Sequence, residues 1–187
     1  MKTGPAAVSA LAVAAVLAGC SGDPEPAPTA LPPLPSASPR PSASLPSASP
    51  VPLPSEAKAA TPQGAAAFAR YFYATLNAAY DSLDNRQLLT LVDPGCKTCA
   101  NYVRDIAAAH RKGDRFKGGG FKVRFAEAPS LSGNLVVVLV TYDMPTLTLY
   151  NREGAVQLRV PSRTNLQTGV QLQRHAGNWH VVRVVAQ

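Results

Sequence analysis

Cys96 and Cys99 form a Cys-x-x-Cys motif, and this spacing supports three kinds of chemistry. The pair suits a short structural disulfide, a redox-active dithiol, or two ligands of a metal site. A thioredoxin-type motif follows a strand in a βαβ unit, whereas a helix and a turn are predicted before this one. A metal site would need His175 and His180, which lie on either side of a predicted hairpin turn far along the chain. The disulfide is the favoured interpretation, and the other two stay open.

Cys20 is the remaining cysteine, and its position indicates lipid attachment. Residues 17–19, Leu-Ala-Gly, precede it and close an apolar run over residues 6–18. Small side chains before a cysteine are what a bacterial lipoprotein signal peptidase requires, and the run is shorter than the ~20 apolar residues of a spanning helix. We expect residues 1–19 to be a lipoprotein signal peptide and Cys20 to become a lipidated N-terminus on the outer face of the cytoplasmic membrane, in the cell envelope. An ordinary secretory signal that leaves a free thiol is the alternative.

Residues 20–60 are predicted to be a lipidated cysteine followed by a disordered tether. The Pro-Ser-Ala-Ser repeat occurs three times in this segment, and 14 of the 18 prolines lie at or before Pro62. Such a sequence cannot bury enough apolar surface to offset the entropy of ordering itself. In an extended polyproline II conformation the tether would reach about 120 Å at most, at about 3.1 Å per residue. A proline-rich ligand for another domain is the alternative interpretation.

The chain is basic, with a formal net charge of +7. Six cations fall between residues 111 and 124, namely Arg111, Lys112, Arg115, Lys117, Lys122 and Arg124. This run predicts a solvated loop, or a surface that attracts anionic lipid or an anionic wall polymer. No nucleic acid is expected as a partner, because the protein is predicted to be exported and no nucleic-acid recognition motif accompanies the cations.

Three helices are predicted before residue 114. Thr61 followed by Pro62 is a strong signal for a helix start, and apolar residues then recur every three or four positions through Leu83. A short second helix is predicted over residues 85–92, and a third over residues 98–112 ends at a glycine.

After the triple glycine at residues 118–120 the apolar period changes to two, which indicates strands. Strands are predicted over residues 121–126, 135–140, 147–150, 155–160, 166–172 and 179–185. The predicted fold class is therefore α+β, with three N-terminal helices packed against a curved antiparallel sheet of five or six strands. This domain is expected to span residues 61–187.

The order of three helices and a strand meander resembles the nuclear transport factor 2-like (cystatin-like cone) superfamily. The closing strand, Gly-Asn-Trp-His-Val-Val-Arg-Val at residues 177–184, is part of that likeness. More narrowly, residues 61–65, the Asp-Pro-Gly-Cys-Lys-Thr-Cys segment at 93–99 and the triple glycine resemble a family of actinobacterial surface lipoproteins of unknown function. The resemblance covers about residues 58–187. It implies a fold with a conical pocket, and it implies no particular activity.

Some enzymes of this superfamily carry an Asp–His pair in the cone, and Asp143, His180 and His110 are the residues here that match. The candidate pocket residues are His180, Asp143, Tyr71 and Tyr102. No nucleophile elbow, Gly-rich phosphate loop or suitably spaced pair of carboxylates accompanies them. We therefore expect a non-catalytic binding or scaffolding domain without metal or cofactor, and an extracytoplasmic enzyme or a thiol oxidoreductase is the alternative. The superfamily often dimerises through its open sheet face, which implies a homodimer or an envelope protein partner.

Overall fold

The computed structural model describes residues 49–186. The predicted signal peptide, the lipidation of Cys20 and most of the predicted tether lie outside the described residues. After a short 3-10 helix at Glu56–Lys58, the elements are α1 (Pro62–Ser82), α2 (Arg86–Leu89), α3 (Lys97–Lys112), β1 (Arg115–Gly118), β2 (Lys122–Glu127), β3 (Leu135–Met144), β4 (Leu147–Tyr150), β5 (Val156–Val160), β6 (Arg163–His175) and β7 (Asn178–Ala186). Within this part of the chain, no helix is both long and apolar enough to cross a membrane.

The long helix α1 begins where the sequence predicts. The Thr61 hydroxyl accepts a hydrogen bond from the Gly64 backbone N–H at 3.0 Å, which satisfies one donor of the first turn. Pro62 occupies the first helical position, where a missing N–H leaves no bond unmade. The helix ends at Ser82, because Leu83 takes up a left-handed conformation with φ 58°.

The apolar stripe of α1 packs on a four-stranded antiparallel sheet with the strand order β2-β3-β6-β7. Phe72 and Leu76 on the helix are fully buried. The sheet side of this core consists of alternate strand residues, namely Val136, Val138, Val140, Val170, Leu172 and Val181. Full burial of one such side chain stabilises the folded state by about 1.5–3 kcal/mol, so this layer holds the helix on the sheet.

A second, three-stranded antiparallel sheet has the order β1-β4-β5. The α+β class, the three helices and the β4–β5 hairpin are confirmed, but seven strands in two sheets replace the predicted single sheet of five or six. The prediction missed β1 because Phe116 is its one apolar side chain. This strand forms through its partner, since β4 places Leu149 opposite Phe116.

The segment over residues 51–60, which the sequence assigns to the tether, packs on the folded domain. Gln87 donates a hydrogen bond to the Val51 carbonyl at 2.7 Å and accepts one from the Val51 N–H at 2.9 Å. The Trp179 indole N–H donates to the Ala59 carbonyl at 3.0 Å. A Cβ on Gly64 would lie 2.3 Å from that same carbonyl oxygen, so only glycine permits this approach. Side chains of the domain thus supply hydrogen bonds to the backbone of this segment on either side of its 3-10 helix.

Candidate functional site

A cavity of about 260 Å³ lies where α1 and α3 meet the second sheet. We call it the aromatic cavity. Its lining residues are Asn77, Tyr80, Asp81, Tyr102, Gly118, Gly119, Gly120, Phe121, Tyr142, Met144, Leu147 and Val160. The walls are mainly aromatic and aliphatic, with a few groups that form hydrogen bonds. A concave site of this composition is the usual setting for a small ligand.

Asn77 on α1 holds one wall of the aromatic cavity in place. Its side-chain oxygen accepts a hydrogen bond from the Phe121 N–H at 2.8 Å, and its amide nitrogen donates to the Phe121 carbonyl at 3.0 Å. Tyr73, Asn77 and Tyr80 follow one another at spacings of four and three, so they project from one side of the helix. The sequence shows this spacing, but the polar Asn77 at its centre makes it less evident than the apolar stripe of α1.

The triple glycine at residues 118–120 forms part of the cavity wall, at a place where no side chain would fit at Gly118 or Gly119. Gly118 and Gly119 have φ values of 73° and 80°, in the left-handed region that favours glycine. A Cβ on Gly119 would lie 2.5 Å from the Leu147 Cβ, and one on Gly118 would lie 2.4 Å from the Thr146 carbonyl oxygen. The backbone therefore approaches β4 more closely than any other residue type would allow.

Four aromatic rings follow one another along the aromatic cavity. The ring centroids of Tyr80 and Tyr102 are 6.5 Å apart, those of Tyr102 and Phe121 are 6.1 Å apart, and those of Phe121 and Tyr142 are 5.2 Å apart. Burial, with a smaller effect of the neighbouring Tyr142, raises the pKa of Tyr102 to about 12. Burial also raises the pKa of Tyr80 and of Tyr142. These phenols are neutral at physiological pH, so they act as hydrogen-bond donors.

Of the four candidate pocket residues, Tyr102 lines the aromatic cavity. Tyr71 contacts the N-terminal segment instead. Its hydroxyl accepts a hydrogen bond from the Gln87 amide at 2.9 Å and donates one to the Val51 carbonyl at 3.4 Å. Tyr71 is therefore a core residue that helps to attach residues 51–60.

Asp143 lies near the end of β3, where it forms part of the surface. Its carboxylate accepts hydrogen bonds from the Asn165 backbone N–H at 2.9 Å and from the Arg124 guanidinium at 2.8 Å. The hydrogen bond from Asn165, and then that from Arg124, lower the pKa of this carboxyl below its usual value. The group is thus an ionised carboxylate held by two donors.

His180 lies far from Asp143. His180 on β7 lies opposite Gln173, which in turn lies opposite Leu135 at the start of β3. Leu135 precedes Asp143 by eight residues, a separation of about 26 Å along the strand. The His180 ring lies 5.8 Å from that of His175, beside a shallow surface depression. Between residues 49 and 186, no group of three or more His, Cys, Asp or Glu side chains is arranged to hold a metal ion.

The disulfide between Cys96 and Cys99 is present, with an S–S distance of 2.02 Å. Cys96 caps α3, where its sulfur accepts a hydrogen bond from the Cys99 N–H at 3.3 Å. Thr98, between the two, donates to the Val184 carbonyl of β7 at 3.0 Å. The cysteines are 1% and 0% exposed. Because a reactive cysteine needs access to its partner, this burial favours the structural interpretation.

The six cations of residues 111–124 are distributed over three elements. Two of them end α3 (Arg111, Lys112), two lie on β1 in the second sheet (Arg115, Lys117), and two lie on β2 in the four-stranded sheet (Lys122, Arg124). Arg124 forms an ion pair with Asp143 at 2.8 Å.

Several solved structures are similar in fold and distant in sequence. The intermembrane space region of the chloroplast protein ARC6 matches with a TM-score of 0.46 and 13% identity, over 67% of this chain and 97% of that one. Aln2 from a Streptomyces species matches with a TM-score of 0.41 and 20% identity, over 64% of this chain and 86% of that one. A protein of unknown function with a cystatin-like fold from Nostoc punctiforme matches with a TM-score of 0.35 and 14% identity, over 63% of this chain and 86% of that one.

No curated protein shows significant sequence similarity to this chain. A family model matches residues 43–185, which include α1, α2, α3 and nearly all of the two sheets. The prediction of a family of unknown function is confirmed by this match. The chain belongs to the family of unknown function DUF6318.

Proposed function

We propose that this chain is a membrane-anchored lipoprotein whose folded domain binds a small, largely apolar ligand without transforming it. The anchor is an acylated Cys20, and the proline-rich segment after it is the tether that displays the domain in the cell envelope. Residues 17–20 and the apolar run before them support the anchor. The sequence resemblance to actinobacterial surface lipoproteins with a cone-shaped domain supports the same proposal.

The aromatic cavity is the observation that carries the ligand-binding part of the proposal. Its volume of about 260 Å³ is slightly below the roughly 300–1,000 Å³ of typical small-molecule sites, which favours a compact ligand such as one substituted aromatic ring. Among residues 49–186, no protein group forms a hydrogen bond with the hydroxyl of Tyr80 or of Tyr102. Both phenols are thus free to donate to a polar group on the ligand.

The proposal assigns no chemical step to the aromatic cavity. Burial raises the pKa of Tyr102 to about 12, so its phenol keeps its proton at neutral pH and is a poor general base. Asp143 lies near the end of β3, whereas His180 on β7 lies level with the start of β3, so the pair that a cone-type enzyme would use is separated. The burial of the disulfide supports a structural bond in preference to a thiol oxidoreductase. An enzyme that uses the cavity and a thiol oxidoreductase remain the rival proposals.

The substitution Val160→Trp tests ligand binding. Val160 lines the aromatic cavity from the edge strand β5, and an indole there would occupy the space that a ligand needs. Toluene, p-cresol and indole are titrated calorimetrically against the full chain. We expect at least one to bind the parent protein and to bind Val160→Trp at least about tenfold more weakly, since a filled pocket loses the ligand's buried area.

Leu89→Trp is the matched control, because it adds the same side chain at a position that is 50% exposed and outside the cavity. It should bind the probe like the parent. No binding of any of the three probes by the parent, or equal binding by Val160→Trp, would contradict the proposal.

A second candidate function is protein–protein interaction through the outer face of the four-stranded sheet. Phe125, Val137, Leu139 and Val185 are 44–51% exposed on this face. Leu139 lies opposite Gly169, which in turn lies opposite Val185, so these side chains form one apolar patch across the sheet. Exposed apolar patches on a sheet of this kind mark interaction sites.

The charges around the apolar patch favour a second copy of the chain as the partner. Glu127 on β2 lies opposite Leu139, and Arg183 on β7 is joined through Gln171 to Val137, so both charges share the outer face. A two-fold axis parallel to the strands would place β2 of one copy over β7 of the other. Glu127 and Arg183 would then meet twice, once at each edge of the interface.

A further inference from the structure

One face of the second sheet carries three cations around a hydroxyl group. The register places Lys117 opposite Thr148, and Thr148 opposite Arg159. Residues that lie directly opposite each other project from the same face of a sheet. Arg115, two residues before Lys117, shares that face, and its guanidinium lies 5.8 Å from the centre of the Tyr150 ring. We call these five residues the basic face.

The basic face points away from the rest of the domain. The opposite face of the same sheet is directed toward α3, where Phe116, Leu149 and Leu158 line a second cavity of about 430 Å³. Strand residues alternate between faces, so the cations are directed outward. Arg115, Lys117 and Arg159 are all exposed.

No carboxylate neutralises the basic face within the described part of the chain. The three ion pairs found among residues 49–186 involve other cations. Lys117 and Arg159 lie two strand spacings apart, about 10 Å, on either side of Thr148. The unpaired cations and the hydroxyl between them therefore match the charge and the hydrogen-bond acceptors of phosphate groups.

Apolar groups border the cations, and this favours a bilayer over a soluble anion. Val156 lies opposite Tyr150 in the β4–β5 hairpin and is 56% exposed. A surface that combines cations with exposed aromatic and aliphatic side chains gains both from anionic headgroups and from partial burial at the lipid interface.

We propose that the basic face docks the domain on an anionic phospholipid bilayer. Lys117 and Arg159 contact headgroup phosphates, with Thr148 as a hydrogen-bond donor between them. This inference deepens the proposed function and rests on it, because an acylated Cys20 would keep the domain near the bilayer at a high effective concentration. The surface differs from the predicted run of six cations, since it retains two of them and adds Arg159 from β5.

The test uses the full chain with Cys20→Ser, which has no sulfur for an acyl group to occupy. Binding is measured by co-sedimentation with vesicles of phosphatidylcholine and phosphatidylglycerol in equal parts, and with vesicles of phosphatidylcholine alone. The protein should bind the anionic vesicles more tightly. A basic residue near an anionic surface contributes about fivefold in affinity, so Lys117→Gln with Arg159→Gln should weaken binding about 25-fold.

The matched control is Lys97→Gln with Arg70→Gln, which removes the same charge from exposed positions on α3 and on α1. It should stay within about twofold of the parent, because salt screens charges beyond about 8 Å. Equal weakening by the two pairs of substitutions would overturn the proposal, as would equal binding to both kinds of vesicle.

Binding to soluble polyphosphate without binding to vesicles would also overturn the proposal and would assign the basic face to an anionic polymer. The anchor can fail independently of this inference. All the variants lack an acyl group and share residues 1–19, so their differences in vesicle binding do not depend on whether the natural protein is acylated.

Discussion

The disulfide between Cys96 and Cys99 is expected to contribute stability and no chemistry. A cross-link that closes so short a loop lowers the conformational entropy of the unfolded chain. In the loop-entropy model this stabilises the folded state by about 2 kcal/mol. Cys96→Ala combined with Cys99→Ala should therefore lower the free energy of unfolding by about that amount. The measurement is urea denaturation of the parent and the double variant, together with the ligand titration. Lost ligand binding with unchanged stability would contradict the structural role.

Tyr102 gives a pH dependence whose sign follows from its environment. Burial raises its pKa from 10.0 to about 12, so the unfolded chain loses this proton at a lower pH than the folded protein. The resulting stability is complete below pH 10.0 and is lost as the pH rises toward 12. Between about pH 9 and about pH 11, Tyr102→Phe should lose about 1 kcal/mol less unfolding free energy than the parent. Equal losses in urea denaturation would show that this phenol is not shielded from water.

The sequence predicts site residues from their chemical type, whereas their position in the fold decides which of them line the aromatic cavity. Tyr102 was found because it lies one helical turn before Ile106, so the two share one side of the predicted third helix. Asp143 and His180 drew attention as ionisable groups, yet their distance from each other depends on strand lengths that no local pattern reveals. Asn77 was missed because its role, two hydrogen bonds to Phe121, joins residues 44 positions apart.

The outer face of the four-stranded sheet gives a direct test of the second candidate function, protein–protein interaction. Leu139→Glu places a charge at the centre of the apolar patch, where burial against another protein would leave it without hydration. We expect the parent to be a dimer by size-exclusion chromatography with light scattering, and Leu139→Glu to be a monomer of unchanged circular dichroism. Thr164→Glu, on the exposed start of β6, is a control that should stay dimeric. A monomeric parent would contradict the second candidate function.

Helix ends were predictable from the sequence and the division into two sheets was not. Thr61 and Gly113 are local signals, and α1 and α3 begin and end within one residue of the predicted positions. Pro145 separates β3 from β4, and the chain leaves one sheet there for the other. Because β1 has a single apolar side chain, its place in the second sheet depends on pairing with β4. That pairing is a long-range interaction, which a period of two within one strand does not encode.

The packed segment over residues 51–60 changes the expected reach of the tether. If the tether is the segment over residues 21–48, it reaches about 90 Å at most, at about 3.1 Å per residue, compared with about 120 Å for the longer segment. The proposed arrangement combines a lipid anchor, this spacer and a domain that carries the aromatic cavity and the basic face. The aromatic cavity would bind a ligand, and the basic face would bind the surface of the bilayer.

The proposed display of this domain in the cell envelope depends on the acylation of Cys20. Intact-mass spectrometry of the protein purified from its own cells measures it most directly. We expect a chain that starts at residue 20, lacks residues 1–19 and carries the added mass of a diacylglyceryl group on the cysteine. A chain that retains residues 1–19, or one with an unmodified thiol at Cys20, would contradict the proposal.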